Sequence, residues 1–196
     1  MNPNGTDTGE PTMAVEIARH NRIRVEDLDL IGAPEKFVEI IDGELIQMTP
    51  ACYGHGMVGF RIAMEFNNHC KSRPNLKFCA DNIGFLVKRN PDTLLSPDAA
   101  LFRARPMEKT TWLEFAPEIA VEVLSPSNSV AEMTFKRHRY FESGTEQFWL
   151  VDPEAHQLEI HHRDGRIVRA DGAAIVEGEG IAEGLRIELT EIFAGY

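Results

Sequence analysis

With 196 residues, 43% of them hydrophobic, the chain has enough apolar material for one globular domain with a real core and too little for two comfortable ones. Its 20 Lys and Arg against 31 Asp and Glu give a formal net charge of −11, which repels polyanions at long range and counts against a general nucleic-acid binder. A nuclease is not excluded, because a site that gathers carboxylates to hold a divalent metal adds negative charge itself, while a few local Lys and Arg still contact phosphates.

In chain order, residues 1–14 are polar with Gly, Pro and Thr, so a mobile N-terminal tail is expected, without the basic and apolar regions of a signal peptide. "VEDLDLIG" (25–32) reads as a short helix ended by Gly32. "FVEIIDGELIQMTP" (37–50) holds two apolar-rich runs joined by Asp42-Gly43, a dipeptide that favours a tight hairpin because both residues tolerate positive φ. Val58, Ile62 and Phe66 recur at helical spacing and predict a helix over 55–70, opened by His55. "KFCADNIGFLVKR" (77–89) and "SPDAALFR" (96–103) read as strands, the second starting at a Pro that cannot donate to a sheet ladder.

"PEIAVEVLSPS" (117–127) is a buried strand closed by a Ser-Pro turn, and a helix over 130–142 follows, capped by Ser129 and ended by Gly144. "QFWLVDP" is an apolar strand stopped by Asp152-Pro153; "LEIHHRDGRIVRA" is a second Asp-Gly hairpin, and 171–184 predict loops and short strands. The order implies an α/β or α+β domain with a mixed sheet, the 130–142 helix crossing between two buried strands. Cys52, Cys70 and Cys79 have no paired spacing, and no stretch approaches the ~20 apolar residues of a membrane span, so a reduced, cytoplasmic location without membrane contact is expected.

Two carboxylates stand out. Alternation puts Glu122 on one strand face with Ala120 and Leu124, the only charge on an otherwise apolar face. Asp98, directly after Pro97, opens the apolar run "AALF". At the ends of neighbouring strands such acids could share Mg²⁺, which takes one or two carboxylates, waters and substrate phosphate oxygens. A nearby Lys could orient the attacking water and steady the transition-state charge; Lys136, with Tyr140 one turn later on the same face, is the best placed.

Structural readings of the same residues stay open. Asp98 could bond its own turn, Glu122 could pair with a buried Arg, and Lys136 could pair with Glu132 on the helix surface for ~0.3 kcal/mol. His55 suits a helix start, Glu39 and Glu44 an exposed hairpin face, Tyr140 and Trp149 the core, and Asp152 a turn. His161-His162-Arg163 reads as hairpin surface, because adjacent strand residues point to opposite faces.

Together, "SPDAALF", "APEIAVEVLSPSNS", "FKRHRYFESGTEQFWLVDP" and the "EIIDGELIQMTP" hairpin resemble the Uma2 family of endonucleases, a branch of the restriction-endonuclease-like superfamily with the motif Pro-Asp, then Asp/Glu-X-Lys. The resemblance implies a single nuclease-like domain over 15–196, DNA as substrate, Mg²⁺ or Mn²⁺ as cofactor, and Asp98 and Glu122 as metal ligands with the Val123 carbonyl as a further one. Where the superfamily motif has its Lys the chain has Leu124, and the resemblance moves that role to Lys136 on the following helix, with Glu39, His55 and Tyr140 in support. Two-strand cleavage suits a symmetric pair of sites, which implies a homodimer. The alternatives are a catalytically inactive nuclease-fold interaction or nucleic-acid-binding module and, ranked well below, a glycosidase carboxylate pair.

Overall fold

The computed structural model describes residues 22–28, 38–48, 50, 52–106, 112–125 and 128–196, and the expected tail at 1–14 and Gly32 lie outside them. At its centre, strands β3 (Leu76–Ala80), β6 (Ala99–Arg103), β7 (Ile119–Val123), β8 (Gln147–Asp152), β9 (Gln157–His162) and β10 (Ile167–Asp171) form one sheet in the order β10-β9-β8-β7-β6-β3. Only β7 and β8 are parallel, and the helix α2 (Val130–Glu142) crosses between them. A parallel pair buried on both faces demands near-continuous apolar strands, and every residue of β7 is buried.

The ends of α2 follow from local chemistry. Ser129 Oγ accepts from the Glu132 amide at 3.0 Å while the Glu132 carboxylate accepts from the Ser129 amide, so two otherwise orphaned donors are satisfied. Gly144 at φ 113° ends the helix in a conformation that a side chain resists.

Helix α1 (Tyr53–Cys70) covers one face of the central sheet, packing Val58, Ile62 and Phe66 against Val121, Val123 and Trp149; the Phe66 and Trp149 rings meet edge to face at 5.4 Å. Full burial stabilises each such side chain by about 1.5–3 kcal/mol. On the other face, α2 joins a second, four-stranded sheet of β1 (Val38–Ile41), β2 (Glu44–Gln47), β4 (Phe85–Lys88) and β5 (Thr93–Leu95), in the order β2-β1-β5-β4. Leu95, Ala120, Tyr140 and Phe148 form the core between them. The chain ends in a small pair, β11 (Ile175–Glu177) and β12 (Arg186–Glu188), and the short α3 (Leu189–Ile192). The fold is thus the expected α+β arrangement around a mixed sheet. Among the described residues no helix is long and apolar enough to cross a membrane.

Several local expectations change. The β1–β2 hairpin turns at Asp42-Gly43 with φ 50° and 83°, as its sequence predicts. "VEDLDLIG", by contrast, forms only a 3-10 turn at Val25–Asp27 within the described residues. The strand expected over 77–89 is two strands on different sheets, because the chain reverses at Asp81-Asn82, with Asn82 at φ 66°. β5 escapes notice in the sequence as a three-residue strand between Pro91 and Pro97. His161 and His162 are buried at 5% and 9% exposure, not hairpin surface, with Arg137 donating to His161 Nδ1 and Arg166 to His162 Nδ1, while Arg163 is exposed as expected.

Candidate active site

Glu122, the penultimate residue of β7, reaches toward α2, and both of its oxygens have partners. Oε2 accepts from Lys136 Nζ at 3.3 Å and Oε1 from the Tyr140 hydroxyl at 3.2 Å. Lys136 and Tyr140 are one helical turn apart, so the α2 face that packs on the sheet delivers both. The Lys136 ammonium reaches a second carboxylate, Glu39 Oε1, at 3.0 Å, and that oxygen also accepts from the Ser96 amide at 2.9 Å. Lys136 is 2% exposed and Glu39 1%. The surface pairing of Lys136 with Glu132 therefore does not occur, Glu39 is not an exposed hairpin residue, and the buried partner of Glu122 is a Lys instead of an Arg. Glu44 is exposed as expected.

Asp98 stands where β6 begins. Its Oδ2 accepts from the Val123 amide at 2.6 Å, and His55 Nε2 lies 3.5 Å from the same oxygen. His55 Nε2 also donates to the Val123 carbonyl at 2.8 Å. The first turns of α1 can approach this closely because residue 59 is glycine; a Cβ there would come within 3.3 Å of the Asp98 Cβ. Leu124, at the position of the superfamily Lys, is half-buried, and its amide donates to Val151.

Two carboxylates, Glu39 and Glu122, thus hold one buried ammonium, and Asp98 acts on Glu122 and Lys136 through its charge, without a direct bond to either. Burial pushes the Glu122 pKa up to about 8; Lys136 pulls it back, and Asp98 and Glu39 push it further up. Burial likewise raises Asp98 to about 6 against the pull of His55 and the Val123 amide. Burial opposes the Lys136 charge, yet Glu122 and Glu39 outweigh it and hold its pKa above the usual range. Burial beside Glu122 raises Tyr140 and keeps it a neutral donor.

Among the described residues no group of three or more His, Cys, Asp or Glu side chains is arranged to hold a metal ion. Mg²⁺ asks for less: one or two carboxylates, with water and phosphate oxygens completing its shell. Asp98, Glu122 and the Val123 carbonyl are a hard oxygen set of that kind. The surplus negative charge and Glu39 Oε2, a buried oxygen without a partner, also fit a divalent cation.

Outside this cluster, Trp149 is core with its Nε1 donating to Gln147 at 2.9 Å, and Asp152 accepts from the Ala155 amide as a turn residue. One support is invisible in the sequence. Asp42 at the hairpin turn pairs with Arg139 of α2 and with Lys88 at 2.7 Å, tying β1 to the helix that carries Lys136.

A family model, Uma2, described as "Putative restriction endonuclease", matches residues 25–190. The fold resembles a crystal structure from Anabaena variabilis ATCC 29413, described as a "putative nuclease belonging to DUF820", with TM-score 0.71 and 22% sequence identity over 85% of this chain and 97% of that one. No curated protein matches the chain.

Proposed function

The chain belongs to the Uma2 family, of restriction-endonuclease type, and on that premise we propose that it is a divalent-metal-dependent nuclease hydrolysing phosphodiester bonds in DNA. The observation that carries the proposal is the meeting of Glu39, Glu122 and Lys136 in one buried cluster, with Asp98 close enough to shift the Glu122 pKa.

In this reading Asp98, Glu122 and the Val123 carbonyl hold Mg²⁺ or Mn²⁺. When bound, the ion polarises the phosphoryl oxygen and lowers the pKa of bound water. Lys136 steadies negative charge developing on the phosphate and orients the attacking water; Glu39 sets the direction of the ammonium, and the Tyr140 hydroxyl holds the Glu122 carboxylate. His55, donating to the Val123 carbonyl, holds the β7 end against Asp98. The test is cleavage of plasmid and oligonucleotide DNA with Mg²⁺ or Mn²⁺. Activity is expected for the natural chain and lost in Asp98→Asn and Glu122→Gln; undiminished cleavage by either variant removes the assignment.

One observation favours an inactive nuclease-fold module. Lys136 is held by two buried carboxylates, and other cations are neutralised too: Arg103 and Arg105 pair with Glu118, and Arg139 with Asp42 and Glu142. Calorimetric titration with Mn²⁺ separates the readings, because a module without catalysis has no reason to bind the ion through Asp98 and Glu122.

A further inference from the structure

We propose that Arg137 of α2, propped by His161 and Glu159 of β9, grips a phosphate of the nucleic-acid strand a few nucleotides from the bond that is cut. The inference rests on nucleic acid being the substrate and adds a residue that contacts it. Arg137 follows Lys136 in the helix, about 100° further round, so it leaves the buried Glu39, Lys136 and Glu122 cluster and emerges, half-buried, beside β9. Its partner there is not an acid. Arg89, Arg103, Arg139 and Arg166 each bond a carboxylate, whereas Arg137 Nη1 donates to His161 Nδ1 at 3.0 Å, and among the described residues no carboxylate pairs with it.

A guanidinium can only donate, so His161 Nδ1 is the bare ring nitrogen, and the proton sits on Nε2, which donates to Glu159 Oε2 at 3.0 Å. That assignment keeps the ring neutral. Burial, and then the neighbouring Arg137 charge, hold the His161 pKa below the usual histidine range. His161 therefore fixes the guanidinium without cancelling its charge. The remaining N–H donors of Arg137 are left for an acceptor from outside, and phosphate oxygens match the guanidinium fork.

Strand register sets the distance from the candidate site. Glu122 stands opposite Leu150, Leu150 opposite Glu159 and Glu159 opposite Arg169, one row across four strands on the face that α2 covers. At ~4.8 Å per strand, Glu159 lies roughly 10 Å from Glu122 and Arg169 roughly 14 Å. A duplex strand rises ~3.4 Å per nucleotide, so the span is about three or four nucleotides. Arg169, its side chain 62% exposed, bonds Glu159 Oε1 at 2.6 Å, and Arg137 approaches the same carboxylate through His161. Two guanidiniums against one carboxylate leave a positive surplus. In a chain of net charge −11, such a spot is where a polyanion meets local attraction.

Fluorescence anisotropy of a labelled duplex with the full chain, in EDTA buffer from about 50 to 200 mM salt, tests this apart from cleavage. Arg137→Ala should weaken binding about tenfold and reduce the salt slope by about one. Arg186→Ala, which removes the same charge from the β11–β12 pair, should change neither. His161 is a positioning residue: His161→Leu should weaken binding in the same assay, and His161→Gln, which keeps an acceptor for the guanidinium, should restore most of it. In Mg²⁺ the Arg137→Ala and His161→Leu losses should fall on KM with kcat unchanged. Arg137→Gln serves should Arg137→Ala fail to fold. A natural chain that binds no duplex, Arg137→Ala binding with natural affinity and salt slope, or an equal loss in Arg186→Ala overturns the proposal. Loss of inorganic phosphate binding in Arg137→Ala with duplex binding intact overturns it too, assigning the arginine to a free anion. Duplex bound through Arg137 yet never cut supports the contact and removes the nuclease reading alone.

Discussion

Lys136 on α2 and Glu39 on β1 stand 97 residues apart in the chain and meet in a 3.0 Å ion pair inside the protein. Both are almost fully buried, so neither charge has water to fall back on, and the pair bolts the small sheet to the helix that crosses the large one. Removing one partner of a buried pair leaves the other uncompensated. Glu39→Ala also strips the Ser96 amide of its acceptor. A destabilisation of about 3 kcal/mol is expected, read from the urea midpoint at unchanged m-value. A loss below about 1 kcal/mol would show that Glu122 alone compensates Lys136.

The pH dependence of stability follows from the raised carboxylates, and its sign is opposite to that of an ordinary surface acid. Glu122 moves from 4.5 to about 8 and Asp98 from 3.8 to about 6, so between about pH 4 and 8 the unfolded chain gives up protons that the folded chain keeps. The unfolded state binds fewer protons in that window, and stability from these groups falls as pH rises through it. Glu122→Gln, which cannot ionise, should therefore gain stability relative to the natural chain between pH 5 and pH 8 in metal-free buffer. Urea titrations of both proteins at the two pH values check this. A difference that stays constant, or runs the other way, contradicts the buried charge balance.

The same groups link metal binding to protons. An ion held by Asp98 and Glu122 must displace the protons that burial favours on them, so Mn²⁺ affinity should rise with pH by up to ~tenfold per unit between about pH 6 and 8, where Glu122 alone keeps its proton, and more steeply below about pH 6, where Asp98 keeps one too. Calorimetry in buffers of different ionisation heat should show proton release. Asp98→Asn and Glu122→Gln should each abolish the signal. Affinity independent of pH would place the ion elsewhere.

Gly59 offers a steric test that changes no charge. Its absent side chain lets α1 lie against Asp98, and Gly59→Val forces branched carbons into a space where a Cβ alone sits 3.3 Å from the Asp98 Cβ and 3.8 Å from a Val123 methyl. Overpacking of that kind is expected to destabilise by about 1–3 kcal/mol. It should also weaken Mn²⁺ binding, because Asp98 is pushed from its bond to the Val123 amide. Metal binding unchanged in a folded Gly59→Val protein would separate the packing of α1 from the site.

Short stretches of the chain dictate its local features. The Asp42-Gly43 hairpin, the limits of α2 between Ser129 and Gly144, the buried β7 and the isolation of Glu122 on it all follow from turn chemistry, capping and alternation within a few residues. The motif around Asp98 and Glu122 was legible for the same reason, as each lies in a short, patterned stretch. Which distant groups meet depends on the packing of the whole domain. That packing turned Lys136 inward to Glu39 and Glu122 instead of outward to Glu132, split residues 77–89 between two sheets, and buried His161 and His162 beside arginines. Those outcomes depend on how two sheets and two helices share one core. A buried charge then takes whichever partner that packing brings within reach, because in the low-dielectric interior an unpaired one is too costly to keep.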